Sequence, residues 1–157
     1  MKKGTAALLT GMFSFGTGFF LGGKMLVGLI NDYKMKMDRN MSNMLICNDW
    51  LDFIYSGGHI DKYFHDNGYQ KVMIYGNGYV GARLAQALAK TDIAVVAIMD
   101  KVASSDENGE VIGTDSRVPD NDCIIVTPVY YYNEIYDMLR KKTDIPIVSV
   151  QTVIGTK

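Results

Sequence analysis

Residues 71–100 read KVMIYGNGYVGARLAQALAKTDIAVVAIMD, an apolar run that breaks into glycines, restarts at helical spacing and ends in a second apolar run closed by an acid. Residues 72–75 are β-branched, aromatic and apolar enough for a buried parallel strand. Gly76, Gly78 and Gly81 follow at the spacing G-x-G-x-x-G. The first glycine permits a tight turn, the second lets a diphosphate approach the backbone, and the third lets the next helix pack close to the sheet. Amides at that helix start, at the positive end of its dipole, then face the phosphates. Val80, Leu84 and Leu88 with Ala82, Ala85 and Ala87 give the helix an apolar, small-residue face, and Arg83 and Gln86 point outward. A second strand is expected over 93–99. Asp100 stands at its tip, about twenty residues past the glycines, where a carboxylate can take both hydroxyls of an adenosine ribose and disfavours a 2′-phosphate. Strand, loop, helix, strand and acid agree on a nucleotide-binding βαβ unit. The competing reading keeps the same unit with its glycines serving packing alone.

Further along, 119–122 reads as a turn and 123–127 as a buried strand ending in Thr127-Pro128. Its tip should face the same crevice as the glycine loop, which makes Thr127 either a ligand contact or the cap of the next helix. The cradle so read consists of Gly76, Asn77, Gly78, Tyr79, Val80, Gly81, Asp100, Lys101, Thr127 and Pro128. A helix over 130–142, with Ile135 and Leu139 inward, and a fifth strand over 145–150 complete the unit, and 151–157 trail off. Tyr130, Tyr131 and Tyr132 either wall the crevice or supply a turn and a core face. Residues 101–110, KVASSDENGE, are polar, contain the turn signal Asn108-Gly109 and have no helical period. The crossover helix between the second and third strands is therefore missing or reduced, with a short strand near Val111 and Ile112. The fold class is α/β, a five-stranded, mostly parallel Rossmann-like sheet over 69–157.

Ahead of that unit, residues 5–23 carry no charge, and apolar character resumes after Lys24. A transmembrane segment is expected over 1–31. The rival, a secretory signal opened by Met1-Lys2-Lys3, lacks an A-x-A-like cleavage site; a buried or surface-lying hairpin is a third reading. Ala7, Gly11, Ser14, Gly18 and Gly22 recur every three or four residues, a ridge on which membrane helices self-associate or dock on another membrane protein, although glycine is also simply common in such spans. Lys24, Lys34, Lys36 and Arg39 outnumber Lys2 and Lys3, which orients a single-pass inner-membrane protein with its globular domain in the cytoplasm. Residues 32–68 form a helical connector. Ile30, Tyr33, Met37, Met44, Cys47, Leu51 and Ile54 lie at heptad spacing, either a short coiled coil or a stripe laid on the globular domain. Trp50 reads as a packing anchor.

With 16 Lys and Arg against 17 Asp and Glu, the chain has no basic stripe for nucleic acid. Cys47 and Cys123 lack metal-ligand spacing, and Cys123 reads as a core residue. His59 and His65 likewise show no metal-site spacing and read as surface residues. No Tyr-x-x-x-Lys pair exists; Tyr136 is followed four residues on by Arg140. Chemistry within the chain is therefore not expected, unless an oligomer completes a site.

With Trp50-Leu51 ahead of Gly58, the run 72–78 with Gly81, Asp100, the segment 124–128 and the closing 147–149, the stretch from about 50 to 154 resembles a family of small Rossmann-like domains from bacterial capsular and exopolysaccharide gene clusters. It is also similar to the nucleotide-sugar-binding unit that precedes the acyltransferase coil in bacterial sugar acyltransferases. The resemblance implies a cytoplasmic domain that holds NAD(P) or a UDP-sugar in surface-polysaccharide metabolism. The alternatives are a small NAD-dependent oxidoreductase or epimerase-like subunit acting on UDP-sugars, and a ligand-free structural adaptor.

Overall fold

The computed structural model describes residues 3–102, 104–106 and 109–155, with side chains described from 24 onward outside 103–110. The chain divides into two compact units, Met1–Asn40 and Met41–Lys157. Helix α1 (Lys3–Tyr55) supplies the first unit and the opening of the second. Within the first, Ile30, Tyr33 and Met37 are exposed. Among the described residues no helix is long and apolar enough to cross a membrane, so the structure gives no support to the span expected over 1–31. Most of that stretch, residues 1–23, lies outside the described side chains. From Lys24 the helix carries Asp32, Lys34, Lys36, Asp38 and Arg39, charges that a bilayer core would not accept.

The second unit is an α/β sandwich. After α1 come α2 (Lys62–Asn67), β1 (Lys71–Tyr75), α3 (Tyr79–Leu88), β2 (Ala94–Asp100), β3 (Ser104–Asp106), β4 (Gly109–Gly113), β5 (Cys123–Val126), a 3-10 turn (Val129–Tyr131), α4 (Tyr132–Arg140), β6 (Ile147–Ser149) and α5 (Val150–Val153). The sheet order is β3-β4-β2-β1-β5-β6. Five strands, from β4 to β6, run parallel, and β3 pairs antiparallel with β4 at the edge. This is the Rossmann-like core expected from the sequence. The chain leaves β1 toward β2 on one side and later inserts β5 on the other, so the direction of winding reverses between β1 and β5 and opens a crevice at their C-terminal ends.

Strand alternation divides the core in two. Val72, Ile74, Cys123 and Ile125 face α3, with Val80, Leu84 and Leu88 from that helix, Phe64 from α2 and Val150 and Val153 from α5. Met73, Tyr75, Ile124 and Val126 face the opposite layer, where α4 brings Ile135 and Leu139. The C-terminal part of α1 also packs on the first layer. It does so through Ile46, Cys47 and Trp50, while Met44, Leu51 and Ile54 of the heptad stripe stay exposed. Trp50 is thus the packing anchor expected.

The reading of 101–112 holds, with a hairpin added, and that of 151–157 changes. The polar stretch after Asp100 holds the β3–β4 hairpin, and no described residue between β2 and β4 is helical. Residues past 150 are not a tail: α5 forms there, capped by the Ser149 hydroxyl, which accepts a hydrogen bond from Gln151 N at 3.2 Å. Val153 and Ile154 are buried.

Candidate functional site

At the crest of the sheet three strand ends meet: Tyr75-Gly76 from β1, Asp100 from β2 and Thr127-Pro128 from β5. Parallel pairing of Tyr75 with both Met99 and Val126 puts them side by side. Gly76 turns out of β1 with φ +103°, a conformation few other residues hold, and its amide donates to Met99 O at 2.7 Å.

The three glycines of the motif are there for different reasons. A Cβ on Gly76 would lie 2.7 Å from Thr127 Oγ1 and 2.8 Å from the Pro128 ring. One on Gly81 would lie 1.8 Å from Gly76 O, inside the loop's own backbone. Both are required by packing. Gly78 is not: its backbone is ordinary extended chain at φ −78°, and a Cβ there would meet nothing within 4 Å. Gly78 is also the N-cap of α3, with no side chain to offer. The first intrahelical bond runs from Ala82 N to Gly78 O at 3.0 Å, so the amides ahead of it have no acceptor within the helix.

Asp100 is half-buried beside the loop. Its Oδ2 accepts from Asn77 N at 2.7 Å and its Oδ1 from Val102 N at 3.3 Å. A carboxylate has about four acceptor positions, so two remain for a hydroxyl of a bound sugar. The carboxylate therefore fixes the loop while keeping capacity for a ligand. The neighbouring Tyr75 phenol is pushed above its ordinary value, first by burial and then by Asp100, and remains a neutral core group.

Thr127 belongs to the buried part of the predicted cradle. It is 3% exposed, and its hydroxyl lies 3.1 Å from Tyr75 O and 3.2 Å from Gly76 O. The side chain ties β5 to the turn of β1 and does not reach the crevice surface. Pro128 leans on Gly76. Val80 and Gly81 are buried under the loop, whereas Tyr79 is 64% exposed with the Arg83 guanidinium 5.3 Å from its ring centre. Lys101 is exposed and its Nζ lies 5.9 Å from the Tyr131 ring, which brings the 3-10 turn after β5 to the same mouth. Tyr130 stacks edge-on against Tyr131 at 4.9 Å. Tyr131 was ambiguous in the sequence because a tyrosine triplet suits a core face as well as a crevice wall. Tyr131 and Tyr132 both pack on the α4-side core, and Tyr132 also donates to Ile147 O.

Among the described residues no acid–base constellation assembles at this mouth. Tyr136 and Arg140 do touch, Nε to hydroxyl at 3.3 Å, but on α4, where Tyr136 packs on the core. The Cys123 thiol is fully buried and pushed up to about 12, chiefly by burial, which leaves it a thiol in the core. A groove of about 450 Å³ elsewhere, between the end of α3 and β2, is lined by aliphatic side chains and backbone polar atoms, and of its lining residues only Thr91 has a polar side chain.

No protein family, characterised protein or solved structure matches the chain.

Proposed function

We propose that the second unit is a nucleotide-binding module that takes the diphosphate of NAD or of a UDP-sugar over Gly78. The observation that carries this reading is the contrast among the three glycines. Packing accounts for Gly76 and Gly81, while the space over Gly78 is open, lies at an uncapped helix start and is bordered by a carboxylate with unused acceptor positions. Helix-start amides are suited to phosphate oxygens, and Asp100 to ribose hydroxyls. Asn77, Tyr79 and Lys101 border the ligand; Gly76, Val80, Gly81, Thr127 and Pro128 hold the loop in shape.

The resemblance to exopolysaccharide-cluster domains supports a role in surface-glycan assembly, with the module presenting or sensing a nucleotide for a partner enzyme. Tethering to the inner membrane, and association with a second copy or with a glycan-assembly protein through the N-terminal helix, rest on the uncharged stretch 5–23 and its small-residue ridge. Calorimetric titration of the chain with NAD, NADP and UDP-sugars tests the ligand. Micromolar binding of one class, lost in Gly78→Val with the thermal transition retained, is expected. Absence of binding by all of them leaves the adaptor reading in its place.

A further inference from the structure

At the opposite end of the sheet from the crevice, three metal-ligating side chains converge from two separate elements. Asp61 and His65 lie one helical turn apart at and within α2, and Asp92 lies in the turn between α3 and β2. His65 Nε2 is 3.1 Å from Asp92 Oδ1 and 3.9 Å from Asp61 Oδ2, and the three ligand atoms all lie within 4.8 Å of one another. We propose that Asp61, His65 and Asp92 form a site for a divalent cation of the zinc class, completed by water. No other such group occurs among the described residues.

The geometry suits that ion. Nitrogen and oxygen ligands held about 2.0–2.2 Å from a tetrahedral zinc stand about 3.4 Å from each other, so the observed separations close around an ion by side-chain rotation alone. One neutral imidazole and two carboxylates balance a charge of +2, and the mixed N and O donor set suits zinc better than magnesium or calcium, which favour all-oxygen shells.

Both supporting elements are held without the ion. Phe64 is fully buried beneath α2, and Gly68 ends the helix in the left-handed conformation, its amide donating to His65 O. The turn bearing Asp92 is fixed by Thr91, whose hydroxyl donates to Leu88 O at 2.8 Å and accepts from Ile93 N at 3.2 Å. An ion there would clamp the segment entering β1 to the segment entering β2. It would therefore stabilise the fold and take no part in nucleotide binding. In the sequence the site was hidden because Asp92 is 27 residues from His65, outside any local ligand spacing.

Zinc titration of the full chain by calorimetry, with thermal unfolding in parallel and cobalt as a spectroscopic probe, tests the site. One zinc per chain and a raised Tm are expected, with affinity falling at least about tenfold in His65→Ala and in Asp92→Asn. Asp92 is exposed, so its variant should keep the fold and serve where His65→Ala does not. His59→Ala and Cys47→Ser should bind as the parent does, and cobalt should show no thiolate charge-transfer band. No Tm shift at about hundred-fold excess zinc overturns the assignment, as does binding that survives both ligand variants or is lost in His59→Ala or Cys47→Ser.

Discussion

The two ends of the β1–β5 pair are closed by different chemistry. Where the strands begin, Asp122 Oδ2 accepts from Gln70 N and Lys71 N, both at 2.8 Å, and Asp122 N donates back to Lys71 O, an exposed stitch made by a carboxylate. Where they end, the stitch is a buried hydroxyl, Thr127 Oγ1 on Tyr75 O and Gly76 O. Each spans about fifty residues of sequence and holds neighbouring parallel strands in register. At the second end there is room beside the stitch, over Gly78. The fold needs both ends held, and the second is the end where the proposed nucleotide would sit.

The largest effect should come from filling the packed part of that second end. In Gly81→Ala the new Cβ lies 1.8 Å from Gly76 O, a backbone atom that cannot rotate away, so α3 must retreat from the sheet. A loss of about 3 kcal/mol or more is expected, read from the urea midpoint. A variant that unfolds at the parent's midpoint would remove the packing account of the third glycine, and with it the contrast with Gly78.

Next comes the buried stitch. Thr127→Val keeps the shape and removes the hydroxyl; Tyr75 O still accepts from Thr127 N at 3.0 Å, but Gly76 O loses this donor in a dry place. The expected cost is about 1–2 kcal/mol, with Thr127→Ser recovering most of it. Equal stability of the parent and the valine variant would show that the crest is held by backbone pairing alone.

These two positions also show what the sequence revealed. Gly81 was legible because spacing, a preceding strand and a following helix all coincide within one short window. Thr127 was legible only as a polar residue at a strand tip, since its choice between ligand and loop depends on which carbonyls the topology brings to it from fifty residues away. Of the two readings of the stripe on α1, docking on the globular domain fails for all but Cys47: methionines and aromatics supply apolar positions on more than one helix face, and Ile46 and Cys47 go inward beside the expected anchor Trp50. Four-residue α5 is too short to show a period, although Ser149 was its N-cap signal. The β3 arm of the hairpin is built from polar residues, so its only local sign was the Asn108-Gly109 turn, whereas Val111 and Ile112 marked β4.

The exposed stitch should respond to pH where the buried one does not. Backbone amides, Lys71 first and then Gln70, hold the Asp122 carboxyl below its ordinary value of 3.8. A folded-state value below the unfolded one means that the carboxylate adds stability above about pH 4 and that this is lost as pH falls through the folded value. Asp122→Ala should therefore lower the denaturant midpoint modestly at pH near 7, and the gap from the parent should narrow in acid. A gap that stays constant across that range would mean that Asp122 acts through its shape and not its charge.

The smallest effect on folding belongs to Gly78, and it sharpens the comparison most. Gly78→Ser places its Cβ in open space on an extended backbone, so no clash opposes it. Serine is a better N-cap than glycine and lowers the entropy of the unfolded chain, so Tm should hold or rise slightly. The same hydroxyl would take a helix-start amide that a phosphate oxygen otherwise uses, and its bulk would stand between the loop and the diphosphate. Affinity for whichever nucleotide the parent binds should fall at least about tenfold while the chain remains as stable as before. A position that tolerates a side chain in folding and refuses it in binding is one whose glycine is kept for the ligand. If serine leaves both unchanged, the open space over Gly78 is only surface, and the two ends of the β1–β5 pair differ in chemistry but not in purpose.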